Sequence, residues 1–377
     1  MKKRLVNGLM GLGSCVVDHN FPVSAGPRYG QKTFFLSSPS KAEKTVGGVT
    51  LNHLSWASAL GVPAGLVGTV GKDSSADMIV DELRKRGIDC SYLYQSLNHH
   101  TSESYVFVPQ TAGERTVVMF AEPKRGRLIG VPQWLGSVSN CAMVSSEIHQ
   151  FSLQTVWKYI SKARRSNVTT ALDFDMPASD VVGGKNKLGN ENELIGILEN
   201  ADVIKASRTA AWDLVGQANT CVRLRSLTGA KLVVITDGAA GSELFAQGMK
   251  KPMSLPAVPP AGKIVNTLGA GDAFFGGLLA SLYANYNKIP TEESELRLLA
   301  EHASACGAIC CMANSTLAPT RKEMWLHAKD KIHEQYYDAL RDLALKVKRR
   351  RASVTVPDRG GVLTPADEVD EQQVESA

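Results

Sequence analysis

The sequence predicts an α/β fold of three layers, in which helices cover both faces of a mostly parallel central sheet. Short apolar runs at residues 66–70, 169–174 and 232–236 alternate with longer segments whose apolar residues recur with a helical period. Strands and helices that alternate along a chain form parallel sheets covered on both faces. The 377 residues suffice for one large domain of this kind.

Local signals place the individual elements. The apolar residues 9–17 predict the first strand. Residues 75–86 predict a helix, because their apolar side chains share one face. Ser74 or Ser75 can cap its first turn, and Gly87 can end its last. Two more apolar runs predict further buried strands, at 142–145 and 202–205.

Two polar segments interrupt the alternation of strands and helices. Residues 21–46 carry three prolines and several serines, while residues 100–120 include alternating stretches that are rich in valine and threonine. Such alternation is typical of strands with one exposed face. The two segments therefore predict an antiparallel excursion from the main sheet, which is either a small lid over a site or an ordinary surface hairpin.

The bulk composition excludes several classes of protein. Apolar residues make up 44% and charged residues 21% of the chain, as in ordinary soluble enzymes. The net charge is only +5, so nucleic acid is not expected as a partner. No apolar run in the sequence is long enough to span a bilayer, so no membrane association is expected. Seven cysteines without paired C-x-x-C motifs indicate reduced thiols and a cytoplasmic location.

The composition changes near residue 345. Residues 346–351 read KVKRRR, and the residues that follow are mostly polar, increasingly acidic and without aromatic side chains. Residues 1–345 are therefore the predicted folded domain, and residues 346–377 a basic and then acidic disordered tail. The basic run is either a solvated helix end, which we favour, or a tag for the nucleus or an anionic surface.

The strongest chemical signal is the run N-T-L-G-A-G-D-A-F at residues 266–274. Glycines at a helix start let a ligand approach the free N–H groups, which together with the helix dipole favour phosphate oxygens. An aspartate at the same point, Asp272, can take a proton from an attacking hydroxyl. The run therefore predicts a phosphoryl-transfer site, although a glycine turn that only packs a helix against the sheet is the alternative.

The run resembles the signature D-T-x-G-A-G-D-x-F of the ribokinase-like, or PfkB-type, carbohydrate and nucleoside kinases, and matches it in all but the first position. Other pieces of the family pattern occur in the family's order. GLGSCVVD ends in Asp18, residues 47–52 are similar to G-G-x-x-x-N, and residues 236–241 are similar to T-x-G-x-x-G. The resemblance covers about residues 5–330. It implies a ribokinase-like fold with a small β lid and ATP-dependent phosphorylation of a sugar or nucleoside hydroxyl.

The resemblance also implies a role for each matching residue. Four residues would serve catalysis, namely Asp272 as the base and Gly269, Ala270 and Gly271 through backbone amides that stabilise the transferring phosphoryl group. The acceptor would lie against Asp18, Gly47, Gly48 and Asn52. ATP, with Mg²⁺ bridging its phosphates, would lie along Thr236, Gly238, Gly241 and Ser207. In this family the lid often mediates contacts between subunits, so the resemblance also implies a homodimer through the lid.

Two departures from the family pattern bear on metal ions. Asn266 stands where the family has an aspartate that helps to hold a monovalent cation, so loss or weakening of K⁺ activation is predicted. Ser207 and Ala210 stand in place of the family's N-x-x-E motif, and neither can replace its carboxylate. Asp175, with Asp173 on the same predicted strand, either contributes to Mg²⁺ binding instead or belongs to an ordinary strand end.

Three functions stay open at the level of sequence. The favoured one is a sugar kinase with a ribose- or ketohexose-type acceptor, and an adenosine or other nucleoside kinase is the alternative. The third is a degenerate kinase fold that only binds a ligand or partner, because the N-x-x-E motif is lost. A phosphorylated sugar would require a basic residue in the pocket, for which Arg28, Lys32 and Arg115 are candidates.

Overall fold

The architecture is that of a computed structural model, which describes residues 7–109, 115–119, 138–183 and 187–353. The strands are β1 Leu9–Leu12, β2 Val16–Val23, β3 Glu43–Gly47, β4 Ala64–Gly71, β5 Asp89–Ser96, β6 Glu103–Pro109, β7 Thr116–Met119, β8 Met143–Glu147, β9 Thr169–Phe174, β10 Val203–Ser207, β11 Leu232–Thr236, β12 Ser242–Ala246 and β13 Met253–Leu255. The helices are α1 Val49–Ala59, α2 Ser74–Lys85, α3 Leu153–Arg165, α4 Ala178–Val182, α5 Glu191–Glu199, α6 Arg208–Val215, α7 Thr220–Thr228, α8 Ala270–Ala284, α9 Glu293–Cys311, α10 Arg321–Lys329 and α11 Glu334–Ser353.

Nine strands form the central sheet, in the order β13-β12-β11-β10-β9-β8-β1-β4-β5. All neighbours from β11 to β5 are parallel, and β12 and β13 are antiparallel additions at one edge. The predicted α/β class with a mostly parallel sheet is thus confirmed. Parallel strands bring their carboxyl ends to one edge of the sheet, which is where open α/β sheets bind ligands.

Alternate residues of the central strands supply two separate cores. In β11, Leu232 and Val234 pack on one face of the sheet, and Val233 and Ile235 pack on the other. Helices α1, α8, α9 and α11 cover the first face, and α3, α5 and α7 cover the second. Because both faces are buried, the strand is a continuous apolar run rather than an alternating one.

Helix α8, which carries the glycine-rich run, lies between α1 and α9. It is apolar on all sides and buried along most of its length. A Cβ on Gly276 would lie 2.6 Å from the carbonyl oxygen of His53 in α1, and one on Gly277 would lie 2.9 Å from Cys306 Sγ in α9. The two glycines let both neighbouring helices approach closely, and this packing fixes the start of α8 at the ligand-binding edge of the sheet.

A second sheet of four strands, in the order β3-β2-β6-β7, forms the lid. The lid begins at Val16 instead of residue 21, so the predicted single strand 9–17 is wrong: its two parts belong to different sheets. Both parts are buried, and the apolar pattern therefore hides the break between them. As predicted, β2 pairs with β3 and β6 pairs with β7 in antiparallel fashion, but the pairing of β2 with β6 is parallel. The predicted lid segment 100–120 is described only at 100–109 and 115–119.

The last helix continues past the predicted domain boundary at residue 345. Helix α11 extends to Ser353, and its residues Val347 and Arg350 are buried. The Arg350 guanidinium lies 4.0 Å from the centre of the Tyr283 ring and donates to the Tyr283 carbonyl oxygen. The boundary is therefore wrong, because the basic run at 346–351 is anchored to the folded domain. The rest of the predicted tail, 354–377, lies outside the described residues.

Helix α2 confirms the predicted helix but has a different cap. Asp73 Oδ1 accepts a hydrogen bond from the Ala76 amide at 2.9 Å, so neither Ser74 nor Ser75 is the capping residue. An aspartate both caps the first turn and complements the helix dipole. Gly87 follows the helix with φ = +66°, as a helix-ending glycine does. Within the ranges given above, no helix combines the length and apolar character needed to cross a membrane.

Candidate active site

The carboxyl edge of the central sheet meets the start of helix α8. Gly269 precedes the helix with φ = +77°, a left-handed conformation that glycine adopts without strain. The Ala270 amide donates to the Thr267 carbonyl at 3.3 Å. Helix geometry leaves the amides of Gly271 and Asp272 without partners inside the helix. The turn therefore presents N–H donors at the positive end of the helix dipole, and Ala270 is the least available of the three predicted donors.

Helix α1 supplies the partner of the Asp272 carboxylate. Asn52 Nδ2 donates to Asp272 Oδ2 at 2.7 Å, and Asn52 Oδ1 accepts from Thr316 Oγ1 at 3.0 Å. Asp272 is only 8% exposed. The Thr316 hydroxyl thereby orients the Asn52 amide so that its NH₂ group faces the carboxylate. Oδ1 of Asp272 remains as the oxygen that can receive a proton.

Asp18 reaches the same place from the lid. It lies inside β2 of the lid sheet, and not at the end of the first central strand as the sequence predicts. Ser104 Oγ donates to Asp18 Oδ1, and a Cβ on Gly47 would lie 2.8 Å from Asp18 Oδ2 and 3.8 Å from Asn52 Oδ1. Asp18 and Asn52 thus lie on either side of Gly47, whose backbone carries no side chain. Burial raises the pKa of Asp18, and the Ser104 hydrogen bond and the Arg115 charge act against that rise.

Glu147, at the end of β8, holds two of the chain segments that connect the body to the lid. Its Oε1 accepts from the Ser14 amide at 2.6 Å, and its Oε2 accepts from the Thr50 amide at 3.1 Å. Gly48 has φ = +112°, and a Cβ there would lie 2.7 Å from the Ser14 carbonyl oxygen. We call residues 13–15 and 48–50 the lid hinges. A single buried carboxylate joins both of them to the central sheet.

Three charged side chains form a row across adjacent parallel strands. Glu147 of β8, Asp173 of β9 and Lys205 of β10 are partners in register. Residues in register on parallel strands point to the same face of the sheet. Lys205 Nζ donates to Asp173 Oδ1 at 2.8 Å and to Oδ2 at 3.1 Å. Asp173, a candidate for magnesium binding, is therefore already engaged by a cation of the protein itself.

Burial and charge together set the protonation of Asp272. Burial raises the pKa of Asp272 to about 7, although the Lys205 ammonium and the hydrogen bond from Asn52 act in the opposite direction. A carboxyl group that titrates near neutral pH can accept a proton from a hydroxyl and release it again. Its chemistry therefore suits a general base.

His149 lies between two further carboxylates. Its Nδ1 is 3.5 Å from Asp175 Oδ1, and its Nε2 is 3.8 Å from Glu147 Oε2. Although burial opposes its charge, the carboxylates of Glu147 and Asp175 raise the pKa of His149 to about 10. Burial likewise opposes the charge of Asp175, but the His149 imidazolium outweighs it and lowers the pKa of Asp175 to about 2. Asp175 thus faces an imidazolium, and the described parts of the chain hold no cluster of three or more Asp, Glu, His or Cys side chains suited to a metal ion.

The residues predicted to lie along ATP gather at the neighbouring strand ends. Ser207 of β10 and Thr236 of β11 are partners in register, and Ser207 Oγ caps α6 by accepting from the Ala210 amide at 3.2 Å. Gly238 has φ = +51°, and a Cβ there would meet nothing within 4 Å. At Gly241 the Cβ would lie 2.1 Å from a backbone carbonyl oxygen. Gly238 therefore offers open backbone, whereas the fold itself requires glycine at 241.

Asn266 does not present the ligands that a monovalent cation needs. It is buried, and its Oδ1 accepts from the Leu268 amide at 2.9 Å. Its Nδ2 has no hydrogen-bond partner among the residues that the structure describes. A buried N–H donor repels a cation and favours an oxygen acceptor. The residue thus fits poorly at a K⁺ site.

Several residues of the site lie outside the sequence motifs and were not predicted. Three of them are charged residues inside or directly after apolar strands, namely Glu147, His149 and Lys205. A charged residue in a buried strand requires a partner, and this signal was available in MVSSEIH and VIKAS. Thr316 and Ser104 carry no such signal, since hydroxyl residues are common in loops and lid strands.

Comparison with known proteins identifies the family and the fold of the chain. The model of the pfkB family of carbohydrate kinases matches residues 12–323. A fructokinase-2 of Oryza sativa is 27% identical over 81% of this chain and 88% of that protein, and a ribokinase of Mus musculus is 26% identical over 75% of this chain and 83% of that one. Among solved structures, a ribokinase of Giardia lamblia superposes with a TM-score of 0.70 at 18% identity, covering 89% of this chain and 98% of its own.

Similarity at that level of identity establishes the fold, which is the ribokinase-like α/β/α fold with a β lid. Enzymes with this site transfer a phosphoryl group to an alcohol. The chain belongs to the pfkB family of carbohydrate kinases. Its activity is accordingly the ATP-dependent phosphorylation of a sugar.

Proposed function

We propose that this kinase phosphorylates a free ribose- or ketohexose-type sugar by direct in-line transfer from ATP, with Asp272 as the base. The observation that carries the proposal is the hydrogen bond from Asn52 to Asp272, which holds a buried carboxylate at the start of helix α8. The base and the N–H donors of the turn lie within one helical turn of each other. A hydroxyl bound between them would contact both the group that takes its proton and the group that stabilises its new bond.

The transfer is a single displacement. The acceptor oxygen forms a bond to the γ-phosphorus of ATP, while the bond from that phosphorus to the β,γ-bridging oxygen breaks and ADP leaves. The hydroxyl proton goes to Asp272 Oδ1, the oxygen that Asn52 leaves open. The amides of Gly271 and Asp272 stabilise the charge on the phosphoryl oxygens in transit.

Asp18, Gly47 and Asn52 would hold the sugar. The Asp18 carboxylate can accept two hydrogen bonds from neighbouring hydroxyls, and Gly47 leaves room for them beside the backbone. A fructokinase and a ribokinase among the relatives support a sugar of this class. Of the three basic candidates for a phosphorylated sugar, Arg28 and Lys32 are exposed, and Arg115 is near enough to influence Asp18. Because Asp18 already offsets the Arg115 charge, a neutral sugar is favoured.

ATP would enter as its Mg²⁺ complex and lie along Thr236, Gly238, Gly241 and Ser207. Lys205 and His149 already occupy Asp173 and Asp175, so the ion would be held through the phosphates and water. The orphan donor of Asn266 supports activity that does not depend on K⁺. A cytoplasmic location also stays a prediction, supported by the seven free thiols.

The lid supplies a surface for a homodimer. Its strands expose apolar side chains on one face, with Tyr105 of β6 and its cross-strand partner Val118 of β7 at 40% and 50% exposure. Phe34 and Phe35 add exposed rings beside them. An exposed apolar patch of this kind supports association with a second copy of the lid.

The test is ADP formation with a panel of sugars and nucleosides, for the wild type and the variant Asp272→Asn. One sugar should stimulate ADP release, and the variant should lose about two to four orders of magnitude of that rate. Stimulation by a nucleoside alone would mean that the acceptor is a nucleoside and not a sugar. No stimulation by any acceptor, with the variant equal to the wild type, would refute the kinase function and leave a binding protein.

A further inference from the structure

Lys205 is a buried ammonium in the middle of the ligand-binding edge. It lies in β10 between Ile204 and Ala206, and it is 2% exposed. Burial of a charge is costly unless the charge is paired. Asp173 provides that pairing through two hydrogen bonds, of 2.8 and 3.1 Å. An apolar pair in register would fill the same space without this cost, so the ion pair calls for a functional explanation.

The ammonium lies directly against the first turn of α8. A Cβ on Gly271 would be 3.1 Å from Lys205 Nζ, which is closer than most carbon contacts. Glycine at 271 therefore admits the lysine under the turn that carries Asp272. An ammonium has three N–H donors, and Asp173 receives two of them. The positive charge is thus held beside Gly271, the residue directly before the base.

Other charges around Asp272 are mostly negative. The charged groups that face it are Lys205 from β10, Asp173 from β9, Asp175 from the segment after β9, Glu147 from β8 and His149 after β8, and the uncharged groups are the Cys310 thiol from α9 and Asn52 from α1. The carboxylates disfavour ionisation of the base. Of the charges that favour it, Lys205 acts most strongly.

We propose that Lys205 is a positioning residue for phosphoryl transfer: clamped by Asp173 beneath Gly271, its ammonium keeps Asp272 in the carboxylate form that can accept the hydroxyl proton. This rests on the proposed function of Asp272 as the base. Asp173 has a double role, since it holds the ammonium in place and also offsets part of its charge.

The two partners should therefore affect the base in opposite directions. Lys205→Met removes a positive charge and should raise the apparent pKa on the acidic side of the kcat/KM profile by roughly one pH unit or more. Asp173→Asn leaves the lysine but removes a negative charge, and it should lower the same pKa. A pair that served only stability would weaken folding in both variants without shifting this pKa in opposite directions.

The experiment measures kcat/KM for the stimulating sugar from pH 5.5 to 9.5 in the wild type and in Lys205→Met, Lys205→Arg and Asp173→Asn. Lys205→Arg should stay near the wild type, because the charge is kept. The double variant Asp173→Asn/Lys205→Met leaves no unpaired buried charge. If Lys205→Met does not fold, the double variant is compared with Asp173→Asn, and the loss of the ammonium between those two should raise the pKa. Lys231→Met is the matched control. Lys231 is half-exposed and pairs with Asp202, away from the site, so its removal should leave the profile unchanged.

A second readout does not depend on activity. The Asp272 carboxyl carbon can be titrated by ¹³C NMR of protein labelled at aspartate, with the signal assigned by its loss in Asp272→Asn. Opposite shifts in the two single variants support the inference. Unmoved midpoints, or shifts in the same direction, overturn it. If no acceptor stimulates ADP release, the proposed function fails, and the NMR titration still decides whether Lys205 controls the ionisation of Asp272.

Discussion

Replacement of Asn52 by leucine tests the link between the buried amide and the base. The change removes the hydrogen bond from Asn52 Nδ2 to Asp272 Oδ2 and keeps the same branched skeleton of heavy atoms. Because the amide donates to the charged form, its loss should favour the protonated form of Asp272. The apparent pKa of the base should therefore rise, and the enzyme should need a higher pH to reach its full rate.

The size of the effect follows from the geometry. A hydrogen bond of 2.7 Å to a buried carboxylate contributes about 1.5–3 kcal/mol, and 1.36 kcal/mol corresponds to one pKa unit. The pKa of Asp272, about 7 in the wild type, should thus rise by roughly one to two units. At pH 7 the ionised fraction would fall from about one half to between roughly one tenth and one hundredth, which lowers kcat/KM about five- to fifty-fold.

The assay is a coupled measurement of ADP release at saturating ATP, with kcat/KM for the sugar followed from pH 5.5 to 9.5. Asn52 also contacts the proposed sugar site, so a second, pH-independent loss is expected. The two effects separate, because only the first recovers at high pH. Thr316→Ser is the matched control, since it changes the neighbour of Asn52 but keeps the hydroxyl that donates to Asn52 Oδ1 and orients the amide.

A loss that is constant across the whole pH range would refute this reasoning. It would mean that Asn52 contributes to sugar binding and has no influence on the base. An equally large shift of the midpoint in Thr316→Ser would also count against it, because that variant keeps the bond from Asn52 to Asp272.

Three further predictions concern stability, cations and the lid. Asp272→Asn should raise the Tm at pH 8 and leave it nearly unchanged at pH 4. The reason is that the Asp272 carboxyl has its pKa raised to about 7 in the folded state, so the folded protein loses stability as the pH rises through that value. A rise of about three pKa units corresponds to about 4 kcal/mol in the free energy of unfolding. Equal Tm values in differential scanning calorimetry at pH 8 would contradict this. Asn266→Asp should make ADP release more responsive to K⁺ than the wild type, with a bulky organic cation as control; identical K⁺ responses would show that residue 266 does not set cation dependence. Val118→Glu should yield monomers in sedimentation velocity while Leu326→Glu, an exposed change on helix α10, should not, and unchanged association in Val118→Glu would place the dimer contact elsewhere.

Much of the central sheet could be predicted from local patterns. Strands β9 and β11 have the predicted bounds, because continuous apolar runs between polar ends are the mark of strands buried on both faces. The split of residues 9–17 into two strands could not be predicted, since the break at the lid hinge lies between equally buried residues. Parallel pairing of β2 with β6 depends on contacts across more than eighty positions, and no local pattern reports those.

The site divides in the same way. Asp18, Asn52 and Asp272 are identified by their resemblance to family motifs, and the bond between Asn52 and Asp272 joins residues 220 positions apart. Physical reasoning on a single residue would not have joined them, since each has an ordinary local explanation. Lys205 could have been predicted as a paired residue, because a lysine inside an apolar strand must have a partner. Its partner could not be named without the register of the two strands.

The hold of Glu147 on both lid hinges has a mechanical consequence. The Glu147 carboxylate holds two of the connections between the lid and the body, through the Ser14 and Thr50 amides, and Asp73 holds the connection between β5 and β6 through Thr101. The two lid hinges are therefore held at one point of the central sheet, which any movement of the lid sheet would leave in place. Burial raises the pKa of Glu147, so the charge that accepts these two hydrogen bonds is lost at a higher pH than the charge of an ordinary glutamate. The anchoring of the lid thus depends on a carboxylate of β8, a strand of the central sheet that does not pair with any lid strand.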